Sequence, residues 1–247
     1  MGENELTSRI DELNSEIYRV YETYYPDRIA AAAPITDGVY DAKKYLESRI
    51  RILWLLKEPY CKGDGTGGGW DLSTQAKIEK WFFPIDAFSN PTYATMAYAS
   101  YGILRDVSYE RMPWINENDF AINKALLEVA HINISKMPAR TRSNPNEISD
   151  HYPIWKDIIF SQIRVIKPEV IICGNTFSII KNTLCSISAF KQFEVPAIKW
   201  FCSYEHDSQL VIDAYHPAQT QITREIYVDS LKEIVNQWML SKTNTNH

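Results

Sequence analysis

Polar side chains able to act on a substrate stand at three places in the chain, each at the end of an apolar run. Lys57 and Glu58 follow Ile52 to Leu56, Asn133 lies in His131-Ile132-Asn133-Ile134, and His216 follows Leu210 to Tyr215. A carboxylate can orient a water or stabilise positive charge, and an imidazole can donate to an oxygen on which negative charge develops. A carboxamide offers donor and acceptor together, enough to read the edge of a heterocycle. Tyr60 and Trp70 add aromatic walls that could stack on its face. Together the set suits a flat heterocycle. Each residue also has a structural reading. Asn133 could satisfy buried backbone groups, His216 could cap a loop before Pro217, and Glu58 could be a turn residue or an ion-pair partner.

Positioning these groups is the work of short strands. Ile52 to Leu56, 131–134, Glu169 to Cys173 and Leu210 to Tyr215 are apolar runs bounded by turn residues, the pattern of strands buried on both faces. Helical patterns alternate with them. Residues 5–24 place Leu6, Ile10, Leu13, Ile17, Val20 and Tyr24 at helical spacing, and YDAKKYLESRI is a second, shorter pattern. Residues 73–112 are helical and rich in aromatics, broken by Pro84 and Pro91, and AINKALLEV precedes the second strand. The stretch 139–153 reads as a long surface loop carrying Arg140 and Arg142. Helices are expected over 154–167, 176–184 and about 220–240, with a short strand around Trp200-Phe201. Strands alternating with helices predict an α/β fold, a three-layer α/β/α sandwich around a central four-stranded parallel sheet. Residues 1–47 read as a helical extension packed on a domain of 48–240, and 241–247 as a disordered tail. In a parallel sheet the polar ends converge on one edge, where α/β folds bind ligands.

Composition narrows the classes. The 247 residues are 45% hydrophobic and 23% charged, enough to bury a full core and ordinary for a globular protein. A formal net charge of −5 gives no global sign of nucleic-acid binding, which would need a local basic face. None of Cys61, Cys173, Cys185 and Cys202 forms a C-x-x-C pair, so no zinc or iron–sulfur site is suggested, and no cofactor is expected. With no apolar leader and no run of eighteen apolar residues, a cytoplasmic protein without a membrane partner is expected. Gly63, Gly65 and Gly68 satisfy G-x-G-x-x-G. Residues 57–62 separate that pattern from the strand, however, and no clean helix opens behind it, so a dinucleotide site is disfavoured. Gly69 and Trp70 stand where a phosphate loop needs Lys and Ser or Thr, and neither G-x-S-x-G nor H-E-x-x-H occurs.

Leu56-Lys57-Glu58-Pro59-Tyr60, followed by a glycine loop and Trp70, resembles the first motif of the uracil-DNA glycosylase superfamily, roughly G-Q-D-P-Y. His216-Pro217-Ala218 resembles that family's last motif, H-P-S-P, and Ile132-Asn133-Ile134 looks like the strand supplying its base-reading Asn. The order of elements is similar from about residue 48 to 240. The resemblance implies Glu58 and His216 as catalytic residues, at the water-activating position and facing the leaving base. It implies Lys57, Tyr60, Trp70 and Asn133 as substrate-binding residues, with Trp70 as the stacking aromatic. The implied activity is removal of uracil or another deaminated base from DNA, with the base flipped into the pocket and no metal. The chain departs from the motifs at Leu56, at the longer Glu58, and at Ala218-Gln219-Thr220, where the family has S-P-L-S. An inactive module of the same fold, binding a nucleobase, nucleotide or protein, is the alternative. A glycosidase for free nucleosides is a third.

Overall fold

Apolar runs too short for helices make the middle of one sheet. The computed structural model describes residues 1–28, 31–72, 90–118, 120–140, 144–185, 190–206 and 208–245. In chain order the elements are α1 (Glu3–Tyr24), β1 (Gly38–Val39), α2 (Ala42–Glu47), β2 (Ile52–Leu56), β3 (Tyr60–Gly63) and α3 (Pro91–Arg105). Then come α4 (Ala121–Lys124), β4 (Ala130–Asn133), β5 (Ala139–Arg140), α5 (Pro145–Ile166), β6 (Val170–Gly174) and α6 (Phe177–Cys185). The chain ends with β7 (Lys191–Gln192), β8 (Cys202–His206), β9 (Gln209–Ala214) and α7 (Arg224–Thr245).

Among the described residues, the main sheet has seven strands in the order β1-β4-β2-β6-β9-β8-β7. Its centre, β4-β2-β6-β9, is parallel. The expected four-stranded parallel sheet is therefore corrected: β1, β8 and β7 extend that centre with antiparallel pairings into a mixed sheet. The flanking strands lack the apolar run that marks the central ones. β1 and β7 are two residues each, and both residues of β7 are exposed. An exposed lysine on so short an edge discourages pairing with another chain.

Both faces are covered. Ile52, Trp54 and Leu56 of β2 join a core with α3 and α7, whereas Leu53 and Leu55 join one with α1, α5 and α6. Alternation along one buried strand thus feeds two layers, each Leu or Ile contributing about 1.5–3 kcal/mol on full burial. The observed architecture is α/β, with helices on both faces of the mixed sheet.

Three expectations shift. The loop expected over 139–153 gives way to helix from Pro145, where α5 begins, with the Asn144 side chain capping the Asn146 N–H and Pro153 lying inside the helix, while Arg142 lies outside the described residues. Proline at the first helical position has no N–H to lose there, so residues that read as turn chemistry start a helix. The last helix runs through Thr245, five residues past its expected end at 240. Trp200 is exposed and precedes β8 instead of lying in it. The expected helix over 73–112 falls partly outside the described residues, at 73–89.

Candidate active site

The chain leaves β2 toward β4 on one side and leaves β6 toward β9 on the other. Their connections diverge above the adjacent ends of β2 and β6, which makes that edge the switch point where α/β sheets hold ligands. Asn133 ends β4 on one side of it, and His216 follows β9 on the other. The edge is closely packed. A Cβ on Gly174, at the end of β6, would lie 2.4 Å from Leu56 Cδ2 and 3.2 Å from Pro217 Cδ. The glycine lets the end of β2 and the His216-Pro217 turn pack closely there, and a larger residue would have to displace the Leu56 side chain. Beyond it, Thr176 Oγ1 donates to the Leu55 carbonyl at 2.8 Å, tying the β6–α6 turn back to β2.

His216 is half-buried, and its Nδ1 accepts the Ala218 N–H at 3.2 Å. Burial, with the Lys57 ammonium adding to it, pushes its pKa from 6.5 down to about 4. The ring is therefore neutral at pH 7. With Nδ1 occupied as an acceptor, its hydrogen sits on Nε2, available as a donor. Lys57 adds positive charge beside it, and the Lys57 carbonyl accepts the Ser135 N–H at 2.9 Å.

Asn133 is 1% exposed and tied to a residue that the sequence reading missed. Asp37 Oδ2 accepts both the Asn133 backbone N–H at 2.8 Å and Asn133 Nδ2 at 3.3 Å. The other carboxylate oxygen accepts Lys136 Nζ at 2.6 Å, in an ion pair whose side chains are both 0% exposed. Gln162, from α5, closes the group: its Nε2 donates to Asp37 Oδ1 and to the Asp37 carbonyl, each at 3.0 Å, and its Oε1 accepts Lys136 Nζ at 2.9 Å. Every buried charge here is paired and hydrogen-bonded, as burial requires. His131, two residues before Asn133 and on the same strand face, is 2% exposed. Its Nδ1 meets the Tyr40 hydroxyl at 3.0 Å, and among the described residues no partner meets hydrogen-bond geometry at its Nε2. Burial holds its pKa near 4, with Lys136 and His216 lowering it further against the pull of Asp37 and of the neighbouring Asn133 side chain.

Glu58 lies elsewhere. It lines a cavity of about 190 Å3 with Ser135, Arg140, Glu147, His151 and the Asp64–Thr66 turn. Within it, Ser135 Oγ and His151 Nδ1 are 3.1 Å apart. Ser135 also accepts the Met137 N–H at 3.3 Å and is 1% exposed, so the pair fastens the loop after β4 to α5. Tyr60 is 63% exposed on β3, and the Trp70 ring packs half-buried against the core. Neither expected aromatic wall lines the Glu58 cavity. The glycine loop is not a free cradle. Ala33 donates to Gly67 at 2.7 Å, Gly69 to Pro34 at 3.1 Å and Thr36 to Trp70 at 3.2 Å, so the loop runs beside residues 31–36 as a ribbon.

The structure thus gathers Lys57, Asn133 and His216 along one edge, joined by His131, Asp37 and Lys136, and sets Glu58 in the neighbouring cavity. Lys136 carried some signal, as a polar residue just past a strand end. Asp37 carried none, because Asp37-Gly38 reads as a turn. Among the described residues, no group of three or more His, Cys, Asp or Glu could hold a metal ion, and no helix is long and apolar enough to cross a membrane. Cys61, Cys173 and Cys202 are free thiols. No protein-family model matches the chain, and no curated protein matches it.

Proposed function

We propose that the protein is an N-glycosyl hydrolase of the uracil-DNA glycosylase type, removing uracil or another deaminated base from DNA. The observation that carries this reading is His216, a neutral imidazole at a strand's carboxyl end whose only free hydrogen is on Nε2. A neutral donor suits a leaving group that becomes an oxyanion, because it stabilises charge as it forms without protonating the base beforehand. The C1′–N bond breaks, and its electron pair goes to the base, spreading onto the carbonyl oxygen that His216 faces. Lys57 adds a positive field to the same oxygen. The sugar is left as an oxocarbenium ion, and a water adds to C1′ and passes its proton to the Glu58 carboxylate, from which it returns through solvent to the released base anion. Glu58, beside a cavity able to hold several waters, supplies and orients that water and balances the cationic sugar. Asn133 reads the base edge. The base must leave the stack to reach this edge, which single-stranded DNA permits at least cost.

A second reading keeps the fold and drops the chemistry. It is favoured by the separation of Glu58, which lines a cavity that neither Asn133 nor His216 lines. The edge would then bind a nucleobase or nucleotide without cleaving it.

A release assay decides between them, using single- and double-stranded oligonucleotides carrying uracil, hypoxanthine or xanthine. His216→Ala is expected to lose about 10²–10³-fold in rate, the usual cost of removing one oxyanion donor. Glu58→Gln is expected to lose most of the remaining activity. Folded protein that frees no base from any substrate would leave the binding module as the function.

A further inference from the structure

We infer that Asp37 is the positioning residue of this site: clamped by Lys136 and Gln162, it fixes which way round the Asn133 carboxamide faces, and so which base edges Asn133 can read. The inference rests on the reading of Asn133 as the base-reading group and goes beyond it by naming what sets its orientation.

An asparagine amide is nearly symmetric in shape, and a free one can turn over to exchange its oxygen and nitrogen. Asn133 is not free. An ionised carboxylate only accepts, so the amide atom facing Asp37 must be Nδ2. Asp37 is kept as an acceptor by five donated hydrogen bonds to its carboxylate oxygens and carbonyl from Lys136, from Gln162 (two) and from Asn133 (two). Gln162 cannot turn over either, because its Oε1 is held by the Lys136 ammonium while its Nε2 serves Asp37. Reversing Asn133 would place Oδ1 against the carboxylate and leave two buried acceptors facing each other. The amide therefore turns Oδ1 and its remaining Nδ2 hydrogen away from Asp37, beside His131, as the acceptor and donor left to meet a base. That edge matches a lactam, in which a ring N–H lies beside a carbonyl, as in uracil and hypoxanthine. It opposes the amidine edge of cytosine or adenine, where a ring nitrogen acceptor would meet Oδ1.

The test compares release of uracil and of cytosine from otherwise identical single strands. Asp37→Asn alone strands the Lys136 ammonium without its counter-charge, so the working variant is Asp37→Asn/Lys136→Met, which removes both charges. Lys136→Met alone is the companion. The double variant should narrow the kcat/KM ratio of uracil to cytosine by about tenfold or more, with the uracil value falling and the cytosine value rising. A purely structural role would lower both values in parallel, and that result would overturn the inference. A second readout needs no substrate: the Asn133 side-chain amide hydrogens should exchange with solvent at least about tenfold more slowly in the wild type than in the double variant. Should the wild type release no base, the hydrolase reading has failed. The exchange rates then decide the clamp on their own, and equal rates in both proteins would overturn it.

Discussion

His131 and His216 tie the site to acid stability. Each is buried enough to hold its pKa near 4, below the usual 6.5 of a histidine. Between those values the unfolded chain binds protons that the folded chain does not. Stability from these two groups is therefore complete above about pH 6.5 and is lost as pH falls toward 4, by up to about 1.4 kcal/mol per pH unit for each histidine. Urea midpoints measured from pH 7 down to 4.5 should fall, and His131→Phe should give a visibly shallower decline. A decline just as steep in that variant would mean that His131 already carries a proton in the folded protein. The same residues show why the site was half legible. His216 and Asn133 stand behind apolar runs, so their place at a strand end could be read directly. Asp37 follows Pro34-Ile35-Thr36 and precedes Gly38, a context that promises a solvent-exposed turn. Its partners Lys136 and Gln162 lie 99 and 125 residues away, so no local pattern announces the clamp.

At the scale of elements, the strands with long apolar runs were readable and the short flanking ones were not. β2, β4, β6 and β9 occur within a residue or two of where periodicity puts them. β1 and β7 are two-residue strands defined by their neighbours, and periodicity has nothing to measure in them. The glycine loop was legible as a loop, but its role was not. Its glycines serve a tight ribbon against residues 31–36, and Gly68 is the sharpest case. It has φ +86°, and a Cβ there would lie 2.0 Å from the Ala33 carbonyl oxygen, a clash with backbone that no rotamer change relieves. Gly68→Ala should cost roughly 2–4 kcal/mol, from strained backbone and a displaced ribbon together. A stability curve unchanged by that substitution would show the ribbon to be dispensable. The stretch expected as an extension, 1–47, contributes Asp37 to the site and β1 to the sheet, and α1 buries Leu6, Ile10, Ile17 and Tyr21 against the core that also holds α5.

At the scale of the whole molecule, charge limits how the site can meet DNA. The chain carries 31 acidic and 26 basic residues. Among the described residues, Lys57 lies beside His216 and Arg140 lines the neighbouring cavity, whereas Lys136 is fully buried in its ion pair. Affinity for a strand falls with salt in proportion to the phosphates a protein neutralises, with a slope of about −0.7 per contact for single strands and −0.9 for duplex. An acidic protein with Lys57 and Arg140 as the described cations at its edge should neutralise at most about four phosphates. Its binding to a uracil-containing single strand should therefore show a log–log slope no steeper than about −3. Release should persist at 200 mM salt, where an enzyme gripping eight or ten phosphates would have lost most of its affinity. Titrating salt from 50 to 200 mM while following both binding and release measures this directly. A slope near −6 would reveal a basic face that the described edge does not supply. A slope near zero, with release intact, would identify a free nucleoside as the substrate, because the recognised group would then be the base and its sugar alone.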